Sequence, residues 1–232
     1  MSRSRLVLLA SAALAPLALA LPASAVSTVV ADWQMNEAAG DTVLHDSTSN
    51  GLNGTIVQPN DEITMGGGVF DWRLKWPTSA PAEPDRILTV PDSPLLDVAA
   101  TDIYTLTVRY KTTYLFGNVV QKGQATSPGG QIKIQQPGGR PSCLFKGAIG
   151  RVTARTPTPI NDGVFHTVSC VRSPDRVQVF VDGVLKQTNN GSTGAIDNSR
   201  PYSIGGKTNC DQVTTTCDYF TGSMDYIRIE KG

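Results

Sequence analysis

Residues 164–187 read VFHTVSCVRSPDRVQVFVDGVLKQ, and this stretch decides the fold class of the chain. Apolar and polar residues alternate over 164–171 and again over Arg176–Val181, which is typical of strands with one buried face. The dipeptide Asp182-Gly183 ends the second run, and both residues tolerate the positive φ angles that a type I′ hairpin turn requires. The stretch therefore predicts consecutive antiparallel strands joined by tight turns.

The same alternation recurs on both sides of this stretch. Runs rich in β-branched and aromatic residues cover 103–110, 131–135 and 224–230, and Gly-rich turn signals separate them. No segment after residue 25 combines helical periodicity with helix caps. Many short strands with regular turns predict an all-β fold, an antiparallel two-sheet jelly-roll sandwich.

The first 25 residues have the composition of a secretory signal peptide. Arg3 and Arg5 precede an apolar run over 6–21, and Ala23-Ser24-Ala25 supplies the small-residue cleavage pattern. The apolar run is short for a membrane span of about 20 residues, and no second run of that length follows. We therefore expect cleavage after residue 25, one domain over 26–232, a secreted or extracellular location, and no membrane insertion.

Charge and composition exclude several classes of function. The 232 residues contain 20 Lys and Arg against 20 Asp and Glu, so the formal net charge is zero. A general nucleic-acid binder needs a basic surface to neutralise phosphates, and this balance does not favour one. Hydrophobic residues make up 40% of the chain and charged residues 17%, which suits a packed core.

The four cysteines are even in number, and in an oxidising compartment they predict two disulfides. Three pairings are available in principle. We favour Cys143–Cys170, because both residues lie in runs that read as neighbouring strands. We also favour Cys210–Cys217, because these two residues bracket a short polar loop.

Three parts of the chain resemble laminin G-like domains of the concanavalin A-like lectin superfamily. The resemblance lies in ADWQMNE at 31–37 with DSTSNGLNGT at 46–55, in FHTV at 165–168 with VFVDG at 179–183, and in FTGSMDYIRI at 220–229. It spans nearly the whole predicted mature chain. It implies the sandwich fold, and it implies a binding domain, since members of the superfamily bind sugars, proteins or glycosaminoglycans. Several members also carry a structural calcium ion.

The loop at 46–54 is the candidate cation site. Asp46 and Asn50 alternate with Thr48 before a glycine, as in the first half of an EF-hand loop, but Val57 stands where that motif requires Glu. In the resemblance this loop lies beside the closing strand, which carries Asp225. The resemblance therefore implies a Ca²⁺ site built from Asp46, a backbone carbonyl near Asn50 or Asn53, and Asp225. The alternative is that these side chains only cap turns.

Motifs for catalysis are missing from the sequence. Retaining glycosidases of this superfamily resemble each other in a Glu-x-Asp-x-Glu stretch. The nearest match here is Glu83-Pro84-Asp85, but Ile87 stands where the third carboxylate would be. The nucleophile turn Gly-x-Ser-x-Gly is absent, and His45 and His166 are too few for a three-histidine zinc site. We therefore expect no enzyme activity, no catalytic residue and no catalytic cofactor.

A carbohydrate site needs aromatic surfaces beside hydrogen-bonding groups. Trp72, Leu74 and Trp76 share one face of a predicted strand and are expected in the core, as is Trp33. Tyr114 and Phe116 read as an exposed loop tip. The ligand-binding candidates are Asp71, Arg73, Tyr114 and Asn118.

The function expected from these observations is non-catalytic recognition of an extracellular ligand, above all a carbohydrate, with a structural Ca²⁺. The first alternative is a protein-interaction or adhesion module at the cell surface. The second is a glycosidase or lyase with an unrecognised site. The expected partners are thus an extracellular glycan or protein, with no nucleic acid among them.

Overall fold

The computed structural model describes residues 27–57, 63–72, 87–207 and 218–232. The predicted signal peptide, Arg73, Trp76 and the pair Cys210 and Cys217 lie outside these residues. Within them the chain forms sixteen strands and two 3₁₀ turns, Pro94–Leu96 and Pro137–Gly139. The strands are β1 (Thr28–Trp33), β2 (Val43–Leu44), β3 (Gly54–Thr55), β4 (Ile63–Gly66), β5 (Val69–Trp72), β6 (Leu88–Val90), β7 (Tyr104–Lys111), β8 (Asn118–Lys122), β9 (Gln131–Gln135), β10 (Ser142–Lys146), β11 (Arg151–Arg155), β12 (His166–Ser173), β13 (Arg176–Val181), β14 (Val184–Asn190), β15 (Tyr202–Ile204) and β16 (Gly222–Lys231).

The strands form two antiparallel sheets that pack face to face. Sheet A has the order β14-β13-β12-β7-β16-β5-β4, and β1 also pairs with β16. Sheet B has the order β11-β10-β9-β8-β15-β6-β3-β2. The predicted all-β two-sheet sandwich is therefore confirmed, and β14 and β11 each lie at one edge of their sheet.

The hairpin predicted at Asp182-Gly183 is present between β13 and β14. Asp182 has φ 51° and Gly183 has φ 75°, the positive values that a type I′ turn needs at both central positions. Val181 pairs with Val184 directly across this turn. The turn thus sets the first pairs of β14, and a β-bulge between Val179 and Phe180 then shifts the register, so that Gln187 pairs with Val179.

The core lies between the sheets and is rich in aromatic rings. Trp33 and Trp72 are buried, as their sequence pattern predicts. Tyr104 of sheet A meets Phe145 of sheet B edge to face, with ring centroids 6.1 Å apart. Each buried aromatic or large aliphatic side chain stabilises the fold by about 1.5–3 kcal/mol relative to exposure.

The Cys143–Cys170 disulfide is formed, as predicted. Cys143 lies on β10 and Cys170 on β12, which belong to different sheets. The expectation that the two strands are neighbours was therefore wrong, although the pairing was right. The bond crosses the core and ties the two sheets together, because alternate residues of both strands point inward.

Arg172 on β12 is completely buried, at 0% exposure. Its guanidinium donates to the carbonyl oxygens of Ala99, Ala100, Asp102 and Gly194 at 2.6–3.1 Å. A buried charge is tolerated when hydrogen bonds satisfy its donors. Arg172 therefore joins the loop before β7 and the loop after β14 to the centre of sheet A.

Candidate functional site

The outer face of β9, β10 and β11 carries polar side chains at every aligned position except Leu144, and we call it the polar face. In each of these strands alternate residues point into the core, as Ile132, Phe145 and Ala154 do. The remaining residues point outward and are aligned across the strands by the backbone register. The aligned rows are Gln131, Lys146 and Arg151; Lys133, Leu144 and Thr153; and Gln135, Ser142 and Arg155.

A groove of about 490 Å³ runs along this polar face at the edge of sheet B. Its lining comes from both sheets and consists of Gln135, Pro137, Ser142, Arg151, Thr153, Arg155, Gln187 and Asn189. All of these except Pro137 carry polar side chains. The groove therefore offers amide, hydroxyl and guanidinium groups to a ligand, and no aromatic ring lines it.

Strand β14 closes one side of the groove. The Asn189 side-chain nitrogen donates to the Thr153 carbonyl oxygen at 2.5 Å, so β14 of sheet A is attached to the edge of β11 in sheet B. Gln187 donates to the Asn189 side-chain oxygen at 2.9 Å. These bonds hold both amides in place and leave Gln187 facing the groove.

The two arginines are the charged groups of the lining, and both are exposed. Arg151 donates from Nε to the Thr153 hydroxyl at 3.4 Å. Neither guanidinium is in an ion pair with any carboxylate of the described residues, and the lining itself contains no Asp or Glu. The arginines are therefore available to a ligand.

The predicted ligand residues fall in different places. Tyr114 lines a second, smaller pocket of about 160 Å³ together with Ser223. The Ser223 hydroxyl donates to Asp71, so Asp71 lies next to this pocket. Asn118 is separate from both, at 0% exposure, and donates to Gln121 and the Gly206 carbonyl inside the protein. Its predicted contact with a ligand is not available in this conformation, and Arg73 lies outside the described residues.

The structure brings together three of the four residues predicted at the calcium site. The Asn53 side-chain oxygen accepts from the Asp46 backbone N–H at 2.8 Å. Asn50 donates from its side chain to the Val30 carbonyl at 2.8 Å, which fastens the same loop to β1. Asp225, the fourth residue, instead pairs with Arg109 on β7.

The carboxylate of Asp46 is already used by four donors. One oxygen accepts from the backbone N–H groups of Asp32 and Thr48, both at 3.0 Å. The other accepts from the Thr48 hydroxyl at 2.7 Å and from the Leu52 N–H at 2.9 Å. A cation would need these oxygens, so the observed arrangement fits a capped turn and does not fit Ca²⁺ ligation. In the described part of the chain, no three His, Cys, Asp or Glu side chains gather as a metal site.

His166 lies at the start of β12 between two carboxylates. Its Nδ1 is 2.7 Å from Asp182, and its Nε2 is 3.2 Å from Asp162. Burial of the ring lowers the His166 pKa, but the hydrogen bonds to the two carboxylates outweigh this effect and raise it. Since both ring nitrogens face carboxylates, neither is free to act as a base toward a hydroxyl nucleophile.

Sequence reasoning missed the residues of the groove. The signal for β11 was present, since Arg151, Thr153 and Arg155 alternate with Val152 and Ala154. This run is short and weakly hydrophobic, which hides it among loop residues. The contribution of Gln187 and Asn189 had no local signal, because it depends on the meeting of two sheets.

The described residues include no helix with the length and hydrophobicity that crossing a membrane requires.

A family model described as the concanavalin A-like lectin/glucanases superfamily, of the laminin G type, matches residues 83–232. No curated protein matches the chain. Among solved structures, domain 4 of AbnA, an extracellular arabinanase from Geobacillus stearothermophilus solved in complex with arabinotriose, is similar with a TM-score of 0.61 and 17% identity. That match covers 89% of this chain and 93% of the other.

Two further structures are similar over part of their length. The mouse laminin alpha1 chain, domains LG4-5, has a TM-score of 0.55 and 16% identity, covering 76% of this chain and 45% of the other. The binding domain of botulinum neurotoxin serotype D has a TM-score of 0.55 and 10% identity, covering 88% and 46%. The chain thus spans less than half the length of these two structures. At such identities the likeness concerns the fold alone.

Proposed function

The chain belongs to the laminin G family of the concanavalin A-like lectin/glucanases superfamily, and we propose that it is a secreted, non-catalytic module that binds extracellular carbohydrate in the groove between β11 and β14. A fold by itself does not specify a function, so the proposal depends on the site. The observation that carries it is the lining of the groove.

The groove is suited to a ligand rich in hydroxyl groups. Side-chain amides of Gln135 and Gln187, hydroxyls of Ser142 and Thr153, and the two guanidiniums line a space of about 490 Å³. Amides and hydroxyls both donate and accept hydrogen bonds, as sugar hydroxyls do. The Asn189 bond to β11 keeps part of this lining in position before a ligand arrives, which lowers the entropic cost of binding.

The residues that line the groove do not favour glycoside hydrolysis there. Glycoside hydrolysis typically uses two carboxyl groups that flank the scissile bond, one acting as an acid and the other as a base or nucleophile. Among the residues that the structure describes, no Asp or Glu lines the groove. The groove therefore has groups to hold a sugar and lacks the carboxylate pair that would cleave it.

The structural neighbours support a binding role. The AbnA domain, which matches this chain over most of both lengths, was solved with arabinotriose. The neurotoxin neighbour is itself a binding domain. For this chain we propose carbohydrate as the ligand. Because the AbnA domain was solved with arabinotriose, a first binding test should include neutral oligosaccharides.

A protein-interaction module is the second candidate, and the loop between β7 and β8 favours it. Leu115 is 62% exposed and Phe116 is 46% exposed, so this loop presents two large apolar side chains to solvent. Such groups are common at the centre of protein interfaces. Neither Leu115 nor Phe116 lines the groove, and the Leu115 carbonyl that accepts from the Gly139 N–H beside Pro137 is a backbone group. Side-chain variants of the loop therefore leave this bond in place, so the two candidates can be tested separately.

A glycan array of the purified chain tests the proposal. We expect binding to at least one class of glycan, and we expect the Gln135→Ala/Gln187→Ala double variant to bind about thirtyfold more weakly, since each of the two lost hydrogen bonds contributes about 1 kcal/mol. The matched control is Leu115→Ala/Phe116→Ala, which should leave glycan binding unchanged. If the chain bound no glycan on the array, the carbohydrate proposal would be overturned. If only the Leu115→Ala/Phe116→Ala variant lost binding, the binding site would be the loop and not the groove.

A further inference from the structure

We propose that the groove between β11 and β14 selects an acidic glycan, whose repeated anionic groups are held by Arg151 and Arg155. The inference rests on the proposed function and names the class of ligand for the same site. It is carried by the charges of the polar face, by the spacing of the two arginines, and by the absence of a carboxylate from the groove lining.

The polar face is strongly basic, although the whole chain has no net charge. Its nine outward positions include Lys133, Lys146, Arg151 and Arg155, and none of the nine is Asp or Glu. Lys133 lies 3.9 Å from Asp218, and Lys146 donates to the Ala125 carbonyl. The two lysines are thus engaged within the protein. The two arginines, as described above, are in no ion pair with a carboxylate of the described residues.

The positions of the arginines suit an extended chain more than a single ion. Arg151 and Arg155 are the first and last residues of β11, and both point to the groove. Four residues of a strand span about 13 Å, so the two guanidiniums lie at separate points along the groove with Thr153 between them. Two anionic groups at separate points of one extended ligand chain could therefore each meet one of these arginines.

Guanidinium chemistry favours the same class of ligand. The planar guanidinium fork matches the two oxygens of a carboxylate or sulfate, and such charge-assisted pairs are stronger than neutral hydrogen bonds. A neutral glycan that covered Arg151 and Arg155 would remove water from two cations without replacing it by an anion. Burial of an unpaired charge is unfavourable, so the groove should discriminate against neutral chains.

The test compares polysaccharides that differ only in charge. We would measure binding of the purified chain to polygalacturonate and to its methyl ester, and to dextran sulfate and dextran, by titration calorimetry at low and high NaCl. We expect the charged member of at least one pair to bind tenfold or more tightly than its neutral partner. We also expect this preference to shrink at high salt, since the groove is open to solvent.

Variants assign the preference to the arginines. Arg151→Gln and Arg155→Gln should each weaken binding of the charged polysaccharide by about tenfold, which corresponds to the loss of one charge-assisted hydrogen bond. Arg151→Lys/Arg155→Lys keeps the charge and should retain part of the affinity. The matched control is Arg200→Gln, which removes an exposed arginine outside the groove lining and should leave binding unchanged.

The outcomes separate this inference from the proposed function. Preference for polygalacturonate identifies a carboxylate ligand, preference for dextran sulfate identifies a sulfate ligand, and either supports the inference. Equal binding of charged and neutral chains, or an unchanged affinity in the Arg→Gln variants, would overturn the inference and leave the carbohydrate proposal standing. Absence of binding to any polysaccharide would overturn both. A single-stranded oligonucleotide that bound as tightly as the best polysaccharide would overturn the assignment of a glycan.

Discussion

His166 is the residue whose protonation links the folded state to pH. The hydrogen bonds from its two ring nitrogens to Asp182 and Asp162 are best satisfied when both nitrogens carry protons. The pKa of Asp162 is lowered, first by the hydrogen bond from the Val164 N–H and then by His166. Burial raises the pKa of Asp182, but the bonds from His166 and the Thr167 N–H outweigh it and lower the pKa. Folding therefore favours protonated His166 and ionised Asp162 and Asp182 more than the unfolded chain does.

We expect the melting temperature to fall as pH rises from about 6 through the raised pKa of His166. A group with a raised folded-state pKa stabilises the fold fully below its unfolded pKa of about 6.5, and this stabilisation is lost above the folded value. The two aspartates act in the opposite sense, and their contribution is lost as pH falls below about 4. Thermal melts across this range should show their maximum between the two limits.

The control for this prediction is His166→Gln, which keeps a polar side chain and removes the titration. Its melting temperature should be lower than that of the wild type near pH 6 and should change less between pH 6 and 8. Equal slopes for the two proteins would show that another group is responsible.

At the scale of single elements, the loop between β2 and β3 is held by its own side chains. Asp46 accepts four hydrogen bonds. The Asn50 side chain donates one to the Val30 carbonyl, and the Asn53 side chain accepts one from the Asp46 N–H. The family resemblance implies a calcium ion at this loop, but Asp225 is paired with Arg109 and the Asp46 oxygens are occupied. The Asp46 carboxylate therefore has hydrogen-bond donors on both oxygens without a cation.

We accordingly expect the same melting temperature in about 2 mM CaCl₂ and in EDTA, because a cation that binds only the folded state would raise it. Differential scanning calorimetry of the purified chain measures this directly. Asp46→Ala should lower the melting temperature equally in both buffers, since it removes the acceptor of four bonds. A rise in calcium that EDTA reverses, and that Asp46→Ala abolishes, would instead establish the calcium site that the resemblance implies.

At the scale of the whole molecule, the two sheets are joined by the core, by Arg172 and by the Cys143–Cys170 disulfide. The disulfide closes a loop with a sequence separation of 27 and connects β10 of sheet B to β12 of sheet A. A cross-link of this kind restricts the unfolded chain more than the folded one. Its contribution to the stability of the sandwich should thus follow from the length of the closed loop.

We expect Cys143→Ala/Cys170→Ala to lower the free energy of unfolding by about 3.5 kcal/mol, the loop-closure value for a loop of this length. Urea denaturation of the wild type and the double variant measures the difference. Reduction of the wild type by a thiol should lower its stability by a similar amount while leaving the double variant unaffected. A double variant as stable as the wild type would show that strain or structure in the unfolded chain cancels the effect.

Much of the fold could be predicted from the sequence, and the reason is physical. Alternation with a period of two decides which side chains of 131–135 or Arg176–Val181 face the core, and it is a local property. The positive φ angles of Asp182 and Gly183 are likewise a local requirement, which the residue types reveal. The burial of Trp33 and Trp72 followed from the same pattern.

The candidate site was less predictable, because its members are distant in sequence. Tyr114 does line a pocket, and Asp71 lies beside it through Ser223. Asn118 reads as part of an exposed tip, yet it is buried, since β8 pairs with both β9 and β15 and lies inside sheet B. Asp225 pairs with Arg109, which is 116 positions away, and no local pattern indicates such a partner.

The sequence by itself determined the strand pattern and the hairpin turn, because residue type and spacing encode these locally, and its motifs carried the resemblance to laminin G-like domains. It favoured the Cys143–Cys170 pairing, but the packing of the two sheets decided that this bond joins β10 to β12 across the core. Only the tertiary structure decided that β14 of one sheet lies against β11 of the other. That contact closes the groove and places Gln187 and Asn189 beside Arg151 and Arg155. It arises from the twist and packing of two complete sheets, so it belongs to the assembled sandwich and to no single segment of the chain.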